Sequence, residues 1–186
     1  MKILFIDCET GGLNPEKHSL LTIGLAVYEY GKIVAEKEID IRHKEYIVTA
    51  KALKINNINL VQHDTNAKDP KIVVQEIIEF IKENFKEEKP VIGGHNVEFD
   101  IKFIERLFSG ERDYFNRYVS HRKLDTCSII NFLMLSGKID IESASLEAAI
   151  KYFDIETNSR HTALEDTKAA IKLYEKLKKF IWKENF

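Results

Sequence analysis

The chain opens on a segment that leaves few folds available. Met1 to Cys8 sets Ile3 and Phe5 on one side of an extended chain and Leu4, Ile6 and Cys8 on the other. Both faces are apolar, as in the central strand of a sheet covered on two sides. The same period of two puts Asp7 and Glu9 on one face at the strand's end. Like charges side by side in such a place repel and lose hydration, so without a metal or a basic partner the pair is costly.

The remaining pattern supplies the rest of a sheet and its covering layers. Leu20 to Tyr28 and Ile33 to Ile41 read as strands joined through Tyr30-Gly31-Lys32 as an antiparallel hairpin. Residues from about 50 to 60 suggest a short helix, and Pro70 opens an amphipathic helix through Ile72, Val73, Ile77, Phe80 and Ile81 that ends near Phe85. Pro90 to Gly94 is a short strand; a helix follows through Phe99 to Phe108, with Asn96 as its N-cap and Asp100 in its first turn. Lys123-Leu124 is a brief strand before a helix over Cys127 to Leu135, and Leu146 to Phe153 is a further helix. Thr162 to Glu165 fits a capping box that starts the last helix, with Asp166 in its first turn. Early strands followed by alternating helices and short strands predict a mixed α/β sheet covered by helices.

Composition narrows the class without naming a substrate. With 186 residues, 44% apolar, no repeat and no dividing linker, the chain is expected to form a single domain over 1–186. Four apolar residues before Asp7 are too few for a signal peptide and no run approaches a membrane span, so a soluble, cytoplasmic protein with no membrane partner is expected. Cys8 and Cys127 lack zinc-ligand spacing and are expected to be reduced. A formal charge of −2 argues against gripping long stretches of nucleic acid. A short-footprint enzyme whose acids hold cations escapes that objection.

Four acids therefore stand out: Asp7 and Glu9 at a strand end, Asp100 and Asp166 in helix first turns. An Asp in a first turn is also simply favourable to the helix dipole. Together the four suit hard divalent cations, Mg²⁺ or Mn²⁺, in a two-metal site of the kind that activates water against a phosphodiester. His161, five residues before Asp166, could take the proton of that water near pH 7; alone, a loop histidine is more often just solvated.

Here the sequence resembles a known family. Asp7-Cys8-Glu9-Thr10-Gly11-Gly12-Leu13, then His95-Asn96-Val97-Glu98-Phe99-Asp100, then His161 to Asp166 look like the three ordered motifs of the DEDDh 3′–5′ exonucleases. That class includes the epsilon subunit of bacterial DNA polymerase III, ribonuclease T and oligoribonuclease. Leu124-Asp125-Thr126 and Ser145-Leu146-Glu147 also sit where the family carries similar residues. The resemblance implies a ribonuclease-H-like fold, a five-stranded mixed sheet with its second strand antiparallel and helices on both faces. It implies that Asp7, Glu9, Asp100 and Asp166 bind two Mg²⁺ or Mn²⁺ ions and that His161 is the general base. Thr10, Gly11 and Leu13 would meet the terminal nucleotide, with Asn96 and Phe99 shaping the same pocket; for Phe99 core packing, and for Asn96 helix capping, are the alternatives.

The implied substrate is the 3′ end of single-stranded DNA or RNA, released as nucleoside monophosphates, and a DNA polymerase is a candidate partner, with a free-standing enzyme the alternative. Two departures from the family pattern stand out: Gly11 replaces a frequent threonine, and Ile55-Asn56-Asn57-Ile58 occupies the place of a His-Gly-Ile-Thr-like segment. Between Arg112 and Arg122, interleaved Tyr114, Phe115, Arg117 and Tyr118 would either guide a single strand or anchor a surface loop. A catalytically silent nucleic-acid- or polymerase-binding module on the same fold is the competing reading.

Overall fold

The computed structural model describes residues 2–108, 112–158 and 162–183. Strand β1 (Lys2–Thr10) lies at the centre of a five-stranded sheet. It pairs antiparallel with β2 (Leu20–Glu29), which pairs antiparallel with the edge strand β3 (Lys32–Asp40). On its other side β1 runs parallel to β4 (Val91–Gly94), and β4 runs parallel to β5 (Lys123–Asp125). This is the expected mixed sheet. The hairpin between β2 and β3 turns on Tyr30 and Gly31, both at positive φ, 47° and 85°, the backbone a two-residue turn needs to match strand twist.

The two apolar faces of β1 each find a helical layer. Leu4, Ile6 and Cys8 join Ile23, Leu25 and Val27 of β2 under α3 (Pro70–Phe85), α4 (Glu98–Leu107) and α5 (Arg112–Phe115). Ile3 and Phe5 join Ala26 and Tyr28 under the last helix, which spans Ala163–Lys183. That helix packs outward on the helices Thr126–Leu135 and Leu146–Tyr152 through Ile130, Leu133, Ala149, Leu173 and Leu177. Phe5 is fully buried between Tyr28 and Tyr174, with ring centroids 6.1 and 5.9 Å away. Its truncation would cost about 3–5 kcal/mol.

Two local expectations need correction. The segment read as one helix over about 50–60 is two, α1 (Ala50–Asn56) and α2 (Leu60–Asn66). Asn57, at φ 53°, ends the first in the left-handed region, and the Asn59 side chain caps the second by accepting from the Val61 and Gln62 amides. Asparagine tolerates the left-handed conformation and also caps helices, so Asn57 and Asn59 end one helix and start the next. Asn96 is not the N-cap of α4. Val97 stands there without a side-chain cap, while Asn96 has φ 58° and its own N–H donates to Asp125 Oδ1 at 2.7 Å.

In chain order the three later helices are α6 (Thr126–Leu135), α7 (Leu146–Tyr152) and α8 (Ala163–Lys183). The aromatic stretch after α4 is built into the fold. Phe115 is buried 5.1 Å from Phe108, Tyr114 meets Tyr118 edge-on, and Arg117 lies over Tyr114. No helix among the described residues is long and apolar enough to cross a membrane.

Candidate active site

Strands β1, β4 and β5 run parallel, so their carboxyl ends gather at one edge of the sheet, where ligands of open α/β sheets commonly bind. There Asp7 and Glu9 leave β1 on the face that Ile3 and Phe5 present to α8, and the first turn of α8 brings Asp166 to meet them. One carboxylate oxygen of each of Asp7, Glu9 and Asp166 lies within 4.8 Å of the others. Asp100 arrives from the opposite layer. In the first turn of α4 and only 4% exposed, it accepts the Cys8 amide through Oδ1 at 3.0 Å. It therefore binds the backbone link between the two strand acids. His161 lies outside the described residues.

The electrostatics are those of acids held together against their own repulsion. Burial lifts the Asp7 carboxyl well above its usual range, and the charges of Asp100, Asp166 and Glu9 lift it further. Burial, then Asp166 and Glu38, push Glu9 up to about 7. Burial pushes Asp100 up to about 8 despite the Cys8 and Asp100 amides that favour its charged form. An all-oxygen donor set whose members repel each other when ionised fits hard divalent cations such as Mg²⁺ or Mn²⁺.

Two residues that seat α8 escaped the reading of the sequence. Gly24 lies across the ladder from Asp7. A Cβ there would overlap the Ala163 carbonyl and lie 2.6 Å from the Leu164 nitrogen, so only glycine admits α8 this close. The visible signal was a glycine inside an apolar strand, which marks a close backbone approach. Glu38 of β3 accepts the Leu164 amide at 2.8 Å, and nothing local to either residue announces that bond. Of the expected capping box one half is present: Thr162 Oγ1 accepts the Glu165 amide at 3.3 Å, whereas the Glu165 carboxylate binds Asn158 and Lys168.

Beside Glu9 opens a largely apolar cavity of about 510 Å³, lined among others by Thr10, Leu13, His18, Ile55 and Phe99. Leu13 stands 83% exposed at its mouth, and Phe99 rests on Phe103 with centroids 5.1 Å apart. Thr10 lies in the lining, but its hydroxyl donates to the Gly12 carbonyl at 2.9 Å. Gly11 is outside the lining. Its N–H donates to Ser19 and its carbonyl accepts from Thr49, both at 2.7 Å. A Cβ on Gly11 would overlap the Ile47 carbonyl and lie 2.9 Å from Val48 Cγ1, which accounts for the missing threonine. Asn96 is exposed and also outside the lining. His95, from the same motif, bridges Thr126 Oγ1 and the Ala144 carbonyl, and its burial lowers its pKa. It joins β4 to α6 and the loop before α7.

The sequence matches the RNase T family model, described as exonuclease, over residues 4–174. No curated protein matches it. Among solved structures, E. coli exonuclease I in complex with a dT13 oligonucleotide has a TM-score of 0.76 at 19% identity, covering 96% of this chain and 41% of that one. Exonuclease I from Methylocaldum szegediense has a TM-score of 0.79 at 15% identity, covering 96% and 40%. A zinc-bound form of the E. coli enzyme with single-stranded DNA gives 0.78 at 19%, also covering 96% and 40%. At these identities the likeness is one of fold, and the chain spans about two fifths of the length of those proteins.

Proposed function

Because the chain belongs to this exonuclease family, we propose that it acts, as one domain over 1–186, as a metal-dependent 3′–5′ exonuclease on single-stranded DNA. The observation that carries the proposal is the meeting of Asp7, Glu9 and Asp166, backed by Asp100, with Glu9 also lining an apolar cavity. Asp7, Glu9, Asp100 and Asp166 would hold two Mg²⁺ or Mn²⁺ ions, whose chemistry when bound is to acidify a water and to offset charge on the leaving 3′-oxygen.

The chain's own residues do the positioning. Leu13 and Phe99 offer apolar surface to the terminal base, and Thr10 closes the floor beside them. A base held there leaves its phosphate beside Glu9. His161, assigned on sequence position alone, takes the proton of the attacking water as general base. DNA is chosen over RNA because E. coli exonuclease I, of the same fold, has been solved with a dT13 oligonucleotide. A cytoplasmic setting suits two free thiols, Cys8 and Cys127.

The test is a 5′-labelled single-stranded oligonucleotide, as DNA and as RNA, incubated with Mg²⁺, with Mn²⁺ and with EDTA. A ladder descending from the 3′ end, faster on DNA and stopped by EDTA, is expected. A few internal cuts would mean an endonuclease, and full activity in EDTA after dialysis would end the two-metal reading. Binding without cleavage would indicate a silent module.

A further inference from the structure

The first turn of a helix has amide donors with no partner inside the helix. In α8 that turn carries Asp166, and its donors are met from two sources. Thr162, just before the helix, takes the Glu165 amide through its hydroxyl and the Asp166 amide through its carbonyl at 2.9 Å. The Leu164 amide is met by Glu38, 126 residues earlier and on the edge strand β3. Two residues back on the same face of β3, Glu36 pairs with Lys168 at 3.0 Å, a half-exposed ion pair of the kind that contributes little and that meets no first-turn amide. The Glu38 carboxylate also adds negative charge beside Glu9.

We propose that Glu38 is a positioning residue for the metal site, capping the Leu164 amide across the sheet and thereby holding Asp166 against Asp7 and Glu9. This rests on the reading of Asp166 as a metal ligand. The essential property is an acceptor oxygen at this point, not its charge. Glu38 is exposed, so its substitution leaves the core untouched.

Wild type, Glu38→Ala, Glu38→Gln and Glu36→Ala are compared by amide hydrogen exchange at Leu164, by calorimetric Mn²⁺ binding and by single-turnover hydrolysis. Glu38→Ala is expected to speed exchange at Leu164 and to weaken Mn²⁺ binding by about threefold to tenfold, the scale set by loss of one cap. Its turnover should fall in parallel while KM holds. Glu38→Gln should stay within about twofold of wild type on every readout, since its amide oxygen still accepts. Glu36→Ala should leave Leu164 exchange and Mn²⁺ binding unchanged. Unchanged Leu164 exchange in Glu38→Ala overturns the proposal, as does faster exchange with unchanged Mn²⁺ affinity, or a glutamine variant as impaired as the alanine one. A wild type that binds Mn²⁺ yet hydrolyses nothing defeats the proposed function alone, because exchange and Mn²⁺ binding still decide this one.

Discussion

Gly24 faces Asp7 across the β1–β2 ladder, and the space a side chain would fill there is occupied by the backbone of Ala163 and Leu164. The distance from Asp7 to the helix that carries Asp166 is thus set by a missing methyl group. Gly24→Ala should push α8 off the sheet. Overpacking of this kind costs about 1–3 kcal/mol, or a melting temperature lower by roughly 2–12 °C for a chain of this size. Hydrolysis should fall by more than the same loss of stability produces elsewhere, for instance in Ile130→Val, whose residue lies in the separate cluster between α6 and α8. Equal activities in the two variants would show that the seat of α8 does not set the site.

Glu9, at about 7, and Asp100, at about 8, titrate far above the ordinary 4.5 and 3.8 of their types. Between pH 4 and 8 the folded, metal-free protein therefore keeps protons that the unfolded chain has released. Stability from these groups is greatest below pH 4 and is lost as the pH rises through 7 and 8. Asp100→Asn keeps an acceptor for the Cys8 amide and removes the titration. Without metal its melting temperature should rise relative to wild type on going from pH 5 to pH 8. Mn²⁺, which binds the ionised acids, should stabilise wild type more at pH 8 than at pH 6. A wild type that gains on Asp100→Asn as the pH rises, with EDTA present, would contradict the assigned shifts.

His161→Ala should retain Mn²⁺ affinity and substrate KM and lose turnover by about 10²–10⁴-fold, the share usual for a general base. The single-turnover rate of wild type should rise with pH through the histidine's titration, and that dependence should vanish in the mutant. A mutant within about threefold of wild type at saturating Mg²⁺ would remove His161 from the mechanism.

Leu13→Ala isolates the nucleotide-facing role of the cavity, because an 83% exposed side chain contributes little to folding. Apolar burial of a leucine against a base, or stacking of an aromatic ring on it, is worth about 1–3 kcal/mol. KM should accordingly rise by roughly 5–150-fold with the melting temperature unchanged. Phe99→Ala should raise KM similarly but also destabilise, since Phe99 leans on Phe103. An unchanged KM in both would place the terminal base elsewhere.

The sequence by itself determined what depends on near neighbours in the chain. Alternation in Lys2–Thr10 made β1 a strand buried on both faces with its acids at one end. Helical spacing and Pro70 placed α3, and the first-turn positions of Asp100 and Asp166 were readable beside their apolar runs. The paired asparagines were harder, because Asn57 and Asn59 act by backbone conformation and capping at a break that periodicity blurs. Tertiary structure alone decided how the pieces meet. Asp100 reaches Cys8 across 92 residues, Glu38 reaches Leu164 across 126, and Gly24 matters only because α8 lies on it. Those relations come from two helical layers closing on opposite faces of one strand, and such closure depends on packing between distant segments, about which local propensity carries no information.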